Sequence, residues 1–121
     1  MPESLISIID DDDSLRSALV GFLRSYGYVA SGYATAEDFL GAARGSDCII
    51  TDIHMPGLSG IELKEELSRR GDRTPVIMIT ARSEPGLEAR ARASGAACFL
   101  RKPFDTGELV GCIESALATA A

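Results

Sequence analysis

The chain has 121 residues, a length that suits one globular domain, and its hydrophobic share of 45% is enough for one sizeable core. Its 18 acidic residues outnumber its 12 Lys and Arg residues, giving a formal net charge of -6. No basic run could neutralise phosphates along a duplex, so direct nucleic acid binding is not expected. The N-terminus does not resemble a signal peptide, and no apolar run approaches the roughly 20 residues of a spanning helix. We therefore expect a cytoplasmic protein with no membrane partner.

The three cysteines give no pattern of their own. Cys48, Cys98 and Cys112 are odd in number, and none lies in a Cys-x-x-Cys pair, so neither a disulfide framework nor a zinc site is predicted. We expect all three to be small core residues in a reducing cytoplasm.

Short apolar runs alternate along the chain with segments of helical periodicity. The predicted strands are residues 5–9, 28–33, 48–51, 76–80 and 97–100. The predicted helices are residues 15–26, 35–40, 60–70, 83–94 and 105–117. The first is capped by Asp12, Asp13 or Ser14 and ended by Gly27, and the second closes near Gly45. Strands that alternate with helices in this way predict an α/β fold, a parallel sheet covered on both faces.

Two of these segments are less regular than the rest. Ser31 and Gly32 interrupt the second strand, which suits a position at the edge of the sheet. The fourth helix has Pro85 in its predicted first turn and a face of Leu87, Ala91 and other alanines that buries little, so we expect it to be mobile.

Carboxylates follow two of the predicted strands. Asp10 and Asp11 come after the first strand and Asp52 after the third. In a doubly wound sheet the first and third strands lie side by side, and ligands bind at their carboxyl ends. An all-oxygen set of this kind is the ligand type that Mg²⁺ accepts, although a surface aspartate and helix caps would also fit the pattern.

A hydroxyl and a cation follow the other two strands. Thr80 ends the fourth strand, and Lys102 lies two residues beyond Leu100, directly before Pro103. Alone, the first would most often bond its own backbone and the second would be a solvated surface lysine. Beside a metal and a nucleophilic carboxylate, they would face the oxygens of a transferred phosphoryl group, which a carboxylate itself can accept.

Four short motifs occur in a fixed order along the chain. They are Asp10-Asp11 with Arg16, Asp52 with Met55-Pro56 and Gly60, Thr80-Ala81, and Lys102-Pro103. With these motifs the chain resembles the receiver domain of bacterial two-component response regulators, most closely receivers that precede LuxR-type DNA-binding domains. The resemblance implies a (βα)₅ flavodoxin-like fold with strand order 2-1-3-4-5. It also implies one receiver domain over residues 1–121 without an output domain in this chain.

The resemblance also assigns roles to individual residues. Asp52 would accept a phosphoryl group from a sensor histidine kinase. Asp10, Asp11, Asp52 and the backbone carbonyl of His54 would hold Mg²⁺.

Two further residues would form the switch. Thr80 would move toward the phosphoryl group, and Phe99 would rotate inward into the space released. The face of the fourth helix, fifth strand and fifth helix would then control an output domain or partner. The partner could be a second copy of the domain, in a homodimer formed after phosphorylation. The domain would be a regulator of transcription that takes part in its own phosphorylation and dephosphorylation, not an enzyme.

Two other classes of function stay open at this point. A metal-dependent phosphohydrolase of the haloacid dehalogenase type also uses an Asp, a Ser or Thr and a Lys, but it needs a second Asp where this chain has His54. An interaction module that has lost phosphorylation would not need the intact set of Asp10, Asp11, Asp52, Thr80 and Lys102. We expect the His54 imidazole to be an exposed loop side chain, since a lone His lacks partner ligands.

Overall fold

The computed structural model describes residues 4–42 and 45–120, in which five strands alternate with five helices. The strands are β1 (Leu5–Ile9), β2 (Val29–Tyr33), β3 (Cys48–Asp52), β4 (Val76–Thr80) and β5 (Cys98–Arg101). The helices are α1 (Asp13–Ser25), α2 (Ala36–Gly41), α3 (Gly60–Arg69), α4 (Leu87–Ala93) and α5 (Thr106–Ala120). Within the described ranges no helix is long and apolar enough to cross a membrane.

The strands form one parallel sheet in the order β2-β1-β3-β4-β5, which confirms the predicted α/β fold and its strand order. β2 lies at the edge, as its polar residues predicted. β1 lies between β2 and β3, with Ile6 opposite Cys48. The winding reverses at β1, so the carboxyl ends of β1 and β3 meet at the switch point of the sheet.

Alternation along the strands divides the core into two clusters. One face packs against α1 and α5, with Ile8, Ile50, Ile79 and Leu100 of the sheet meeting Leu19, Leu23, Leu109 and Ile113. The other face packs against α2, α3 and α4, with Ile49, Met78 and Phe99 meeting Phe39, Leu63, Leu67, Leu87 and Ala91. β1, β3 and β4 are therefore apolar on both faces, which is why they read as continuous hydrophobic runs.

The helix ends follow the predicted capping residues. Asp12 caps α1 by accepting a hydrogen bond from the Leu15 N–H, and Gly27 follows that helix with a φ of 104°. The Thr35 hydroxyl accepts from the Asp38 N–H at the start of α2. That helix ends at Gly41, earlier than the predicted end near Gly45.

The fourth helix differs from its prediction. It begins at Leu87, because Gly86 has a left-handed φ of 78° that a helix cannot include, so Pro85 precedes the helix. The buried residues of the helix are Leu87 and Ala91, the two that were named for its inward face.

The cysteine prediction holds for one residue of three. Cys48 is free and buried in the core, where burial raises the pKa of its thiol to about 12. Cys98 of β5 and Cys112 of α5 instead form a disulfide, with 6.0 Å between their Cα atoms. Packing of α5 over β5 brings together two residues that no sequence spacing marks as a pair. The cysteines therefore give no support to a reducing compartment.

The start of α3 packs directly on the backbone that carries the end of β3. A Cβ atom at Gly60 would lie 2.6 Å from the Asp52 carbonyl oxygen and 3.1 Å from the Thr51 Cγ2 atom. The Gly60 N–H also donates to the Ile53 carbonyl at 3.0 Å. Only glycine permits this approach, because the nearest obstacle is backbone and cannot rotate away.

We predict that Gly60→Ala lowers the free energy of unfolding by about 1–3 kcal/mol, the usual cost of overpacking. Gly21→Ala is the matched control, since no atom of the described residues lies within 4 Å of a Cβ there. Ala in mid-helix is expected to stabilise α1 by about 0.5–1 kcal/mol. Urea denaturation of both variants measures the difference. Equal stabilities of the two variants would contradict the close-approach interpretation.

Candidate functional site

Three carboxylates converge at the carboxyl ends of the central strands. Asp10, Asp11 and Asp52 each place an oxygen within 4.8 Å of the others, and we call these residues the acidic cluster. Asp10 is 2% exposed and Asp52 9% exposed, whereas Asp11 is open to solvent. The juxtaposition follows from the sheet, because β1 and β3 are neighbours and both end at this edge.

The first turn of α1 fixes the orientation of Asp10. The Asp12 N–H donates to its Oδ1 at 2.9 Å, and Arg16 Nη1 donates to its backbone carbonyl at 2.8 Å. Asp12 is thus both the N-cap of α1 and a support of the site. The second carboxylate oxygen of Asp10 is left to face Lys102, whose Nζ lies 3.3 Å away.

Asp52 has a similar division between its two oxygens. Oδ1 accepts from the Ile53 N–H at 3.0 Å, and Oδ2 lies 3.6 Å from Lys102 Nζ. Burial raises the pKa of the Asp52 carboxyl above its ordinary value, while the Lys102 ammonium lowers it and the Asp10 carboxylate raises it. Lys102 therefore offsets part of the cost of holding two negative charges in a partly dry site.

The loop after β5 delivers Lys102 to the acidic cluster. The Lys102 N–H donates to the Thr80 carbonyl at 2.8 Å, which extends the pairing of β4 and β5 by one bond. The peptide bond between Lys102 and Pro103 is cis. The predicted cation and the predicted carboxylates are thus brought together across residues far apart in the sequence.

Thr80 is fully buried, and its hydroxyl has two partners. Oγ1 accepts from the Arg82 N–H at 3.0 Å and lies 3.4 Å from Nδ1 of His54. The other ring nitrogen of His54, Nε2, lies 3.0 Å from Oε1 of Glu84. The expectation of an exposed imidazole is therefore wrong, because the side chain is 27% exposed and both of its nitrogens have partners.

Glu84 is a site residue that sequence reasoning missed. It lies four residues after Thr80 and meets His54 from a different loop. No motif or periodicity marks such a pair, since each residue alone looks like an ordinary loop side chain.

Phe99 lies inside the molecule. It is 8% exposed, pairs in register with Met78 and packs in the cluster that faces α4. The guanidinium of Arg101 lies 5.3 Å from the centroid of its ring. The ring thus already occupies an inward position in this structure, and its predicted rotation stays a prediction.

The donor set of the acidic cluster fits a hard divalent cation. Carboxylate oxygens are the ligands that Mg²⁺ prefers, and the exposed Asp11 leaves the cluster open to solvent for the waters that Mg²⁺ retains. The same cluster, a lysine beside it and a hydroxyl at the end of β4 match the motifs that carried the family resemblance.

The family's sequence model, described as the response regulator receiver domain, matches residues 6–114. The chain belongs to this family. It is a receiver domain of the kind found in two-component response regulators, which confirms the resemblance read from the sequence.

Two curated relatives show the extent of the similarity to this receiver. The transcriptional regulatory protein FixJ of Azorhizobium caulinodans is 41% identical over 124 residues, covering all of this chain and 59% of the relative. The response regulator protein TodT of Pseudomonas putida is 34% identical, covering 97% of this chain and 52% of the relative. The receiver thus spans little more than half the length of these relatives.

Solved structures agree with the fold. The crystal structure of FixJ-N is 30% identical with a TM-score of 0.89, covering 98% of this chain and 96% of that one. The response regulator StyR is 36% identical with a TM-score of 0.91, covering 98% of this chain and 61% of that one.

Asp52 should lower the stability of the receiver near neutral pH when no divalent cation is present. Since its pKa is raised on folding, the folded state binds the proton more tightly, and the contribution of Asp52 to stability falls as the pH rises through the raised pKa. Asp52→Asn should therefore be more stable than the wild type at about pH 7, with the gain shrinking toward about pH 3, where both states of the wild type are protonated.

Thermal unfolding in EDTA across this pH range measures the effect. The control is Glu65→Gln, which removes an exposed carboxylate of α3 and should change stability by no more than about 0.5 kcal/mol at any pH. An Asp52→Asn protein less stable than the wild type at every pH would refute the prediction.

Proposed function

We propose that this receiver accepts a phosphoryl group on Asp52 from the phosphohistidine of a sensor histidine kinase. The observation that carries the proposal is the acidic cluster with Lys102 Nζ bridging Asp10 and Asp52 at 3.3 and 3.6 Å. Such a site has a nucleophilic carboxylate and a fixed positive charge directed at it.

The transfer is a displacement at phosphorus. A carboxylate oxygen of Asp52 forms a bond to phosphorus as the bond from phosphorus to the kinase imidazole breaks. The other nitrogen of the phosphorylated ring carries a proton when the bond breaks, so the products are an aspartyl phosphate and a neutral imidazole. Oδ2 is the Asp52 oxygen that faces Lys102, whereas Oδ1 accepts from the Ile53 N–H. Positioning and charge neutralisation supply most of the catalysis in such transfers, so the preset Lys102 matters more than any proton relay.

The proposed cofactor is Mg²⁺. Asp10, Asp11, Asp52 and the backbone carbonyl of His54 would hold it, and when bound it would neutralise charge that develops on the phosphoryl oxygens. The residues themselves do the rest: the Asp12 N–H and Arg16 orient Asp10, and the Ile53 N–H orients Asp52.

The proposed output is a change of surface. Thr80 and Phe99 lie on the face of the sheet that α4 covers, since Phe99 is opposite Met78 and Arg101 is opposite Thr80. A Thr80 hydroxyl drawn to a phosphoryl group on Asp52 would alter the β4–α4 loop, and through it the face formed by α4, β5 and α5. That face would contact an output domain, a partner or a second copy of the receiver in a phosphorylation-dependent homodimer. We place this switch in the cytoplasm, as a regulator rather than an enzyme of turnover.

The phosphohydrolase alternative is less well supported. Its general acid would occupy the position of His54, whose ring is committed to Glu84 and Thr80 and carries no carboxyl group. Sustained hydrolysis of a generic phosphate ester, lost in Asp52→Asn, would favour it over the switch.

Beryllium fluoride with Mg²⁺ tests the switch, because it imitates a phosphoryl group on a carboxylate. In the wild type, the amide signals of Thr80 and Phe99 should shift in nuclear magnetic resonance spectra. Gel filtration of the same samples reports dimerisation. The Asp52→Asn protein should show neither change. An unchanged spectrum of the wild type would contradict the proposal.

Lys102→Ala should separate metal binding from switching. Loss of the cation should leave Mg²⁺ binding intact, because removing a positive charge from the acidic cluster does not weaken attraction for a cation. Affinity for beryllium fluoride should fall roughly tenfold or more, the value of a charge-assisted hydrogen bond. Lys64→Ala removes the other lysine of the chain, on α3, and should match the wild type. Equal affinities of Lys102→Ala and the wild type would show that Lys102 does not contact the accepted group.

A further inference from the structure

A chain of side-chain contacts leads from the Thr80 hydroxyl to the surface of α4. Thr80 Oγ1 lies 3.4 Å from His54 Nδ1, and His54 Nε2 lies 3.0 Å from Glu84 Oε1. The other carboxylate oxygen of Glu84 lies 3.3 Å from Nη2 of Arg90 on α4. We call Thr80, His54 and Glu84 the loop relay, since they join the β3–α3 and β4–α4 loops.

When the His54 ring is uncharged, the chemistry of these groups fixes the direction of each hydrogen bond. An ionised carboxylate only accepts, so the His54 nitrogen that faces Glu84 must carry a proton. In the uncharged ring the other nitrogen, Nδ1, is then bare and can only accept. The Thr80 hydroxyl has one proton and already accepts from the Arg82 N–H at 3.0 Å. With Nδ1 bare, the Thr80 hydroxyl is therefore the donor in its hydrogen bond with His54.

This direction has a consequence for the switch. A hydroxyl that donates to His54 cannot at the same time donate to a group accepted on Asp52, because it has one proton. Resting on the function proposed above, we infer that Glu84 and His54 are positioning residues that hold the Thr80 hydroxyl in its resting orientation. Glu84 sets the tautomer of His54, and the tautomer keeps the Thr80 proton away from Asp52.

The position of Glu84 also couples the orientation of the Thr80 hydroxyl to α4. Its carbonyl accepts from the Leu87 N–H at 3.2 Å, and Arg82 Nη1 lies 3.6 Å from its carboxylate. When the Thr80 hydroxyl leaves His54, the contact between His54 and Glu84 loosens. Glu84 is joined to the first turn of α4 and to Arg90, so the change reaches that helix. Partly exposed ion pairs of this kind are weak one by one, so the expected effect is a shift of a few-fold in the switching equilibrium.

The affinity for beryllium fluoride in the presence of Mg²⁺ measures how strongly Glu84 and His54 keep the Thr80 hydroxyl in its resting orientation. Glu84→Ala should bind about two- to fivefold more tightly than the wild type, because the resting state has lost one hydrogen-bonded support. Glu84→Gln should remain close to the wild type, since an amide oxygen still accepts from His54 Nε2. Calorimetric titration gives each dissociation constant.

Glu88→Ala is the matched control. Glu88 lies one turn further along, pairs with Arg92 and Arg101 and is part of no contact to His54 among the described residues. It should bind beryllium fluoride as the wild type does. Equal affinities of Glu84→Ala and the wild type, or equal tightening in Glu84→Gln and Glu84→Ala, would overturn the loop relay.

The ring of His54 offers a second readout that does not need the switch to work. The chain has a single histidine, so an untagged protein labelled with ¹⁵N shows one imidazole in long-range spectra. At about pH 8 the wild type should show the proton on Nε2 and a bare Nδ1. The proton on Nδ1 would overturn the inference.

The same spectra separate the two proposals. In Glu84→Ala the two tautomers should mix, because nothing fixes the proton on Nε2, whereas Glu88→Ala should keep the wild-type pattern. If the wild type ignores beryllium fluoride but shows the Nε2 tautomer, the proposed switch fails and the hydrogen-bond direction stands. If it responds to beryllium fluoride with the proton on Nδ1, the switch stands and the relay fails.

Discussion

The site depends on one electrostatic balance, the position of the Lys102 ammonium between two buried carboxylates. Asp10 and Asp52 come from adjacent strands and are both almost free of solvent contact. Burial strips hydration from the Asp52 carboxylate, and the negative charge of Asp10 repels it. For these two reasons, burial being the larger, the pKa of Asp52 is raised despite the lysine. The parallel sheet forces the carboxylates together, and the loop after β5 must return to this edge to supply the cation. A site under this tension attracts positive charge, which is the property that the proposed metal site requires.

Much of this arrangement could be predicted from the sequence, and the reason lies in the strands. Buried parallel strands are continuous apolar runs, so the residues that end them stand out: Asp10, Asp52, Thr80 and Lys102 could be placed at one edge before any contact was known. The capping of α1 by Asp12 was also predictable, because it follows a local rule with a fixed spacing.

What could not be predicted depends on contacts between segments without local signatures. Glu84 meets His54 only because two loops fold over the same strand ends, and Cys98 meets Cys112 only because α5 lies across β5. The start of α4 at Leu87 follows from the conformation of Gly86, which a glycine permits but does not require. In each case the local sequence is compatible with several conformations or pairings, and tertiary packing selects one of them.

The close approach at Gly60 divides the site into a fixed half and an adjustable half. The start of α3 lies against the Asp52 backbone so closely that a Cβ atom at Gly60 would not fit, which ties the end of β3 to the helix that follows it. The groups at the ends of β4 and β5 are held differently, because the Thr80 hydroxyl, the Glu84 carboxylate and the Lys102 ammonium have side-chain partners that can be exchanged. Sequence change should follow the same asymmetry: the turn between β3 and α3 has little freedom to vary, whereas the turn between β4 and α4 is where one receiver can be tuned to differ from another in how readily it responds.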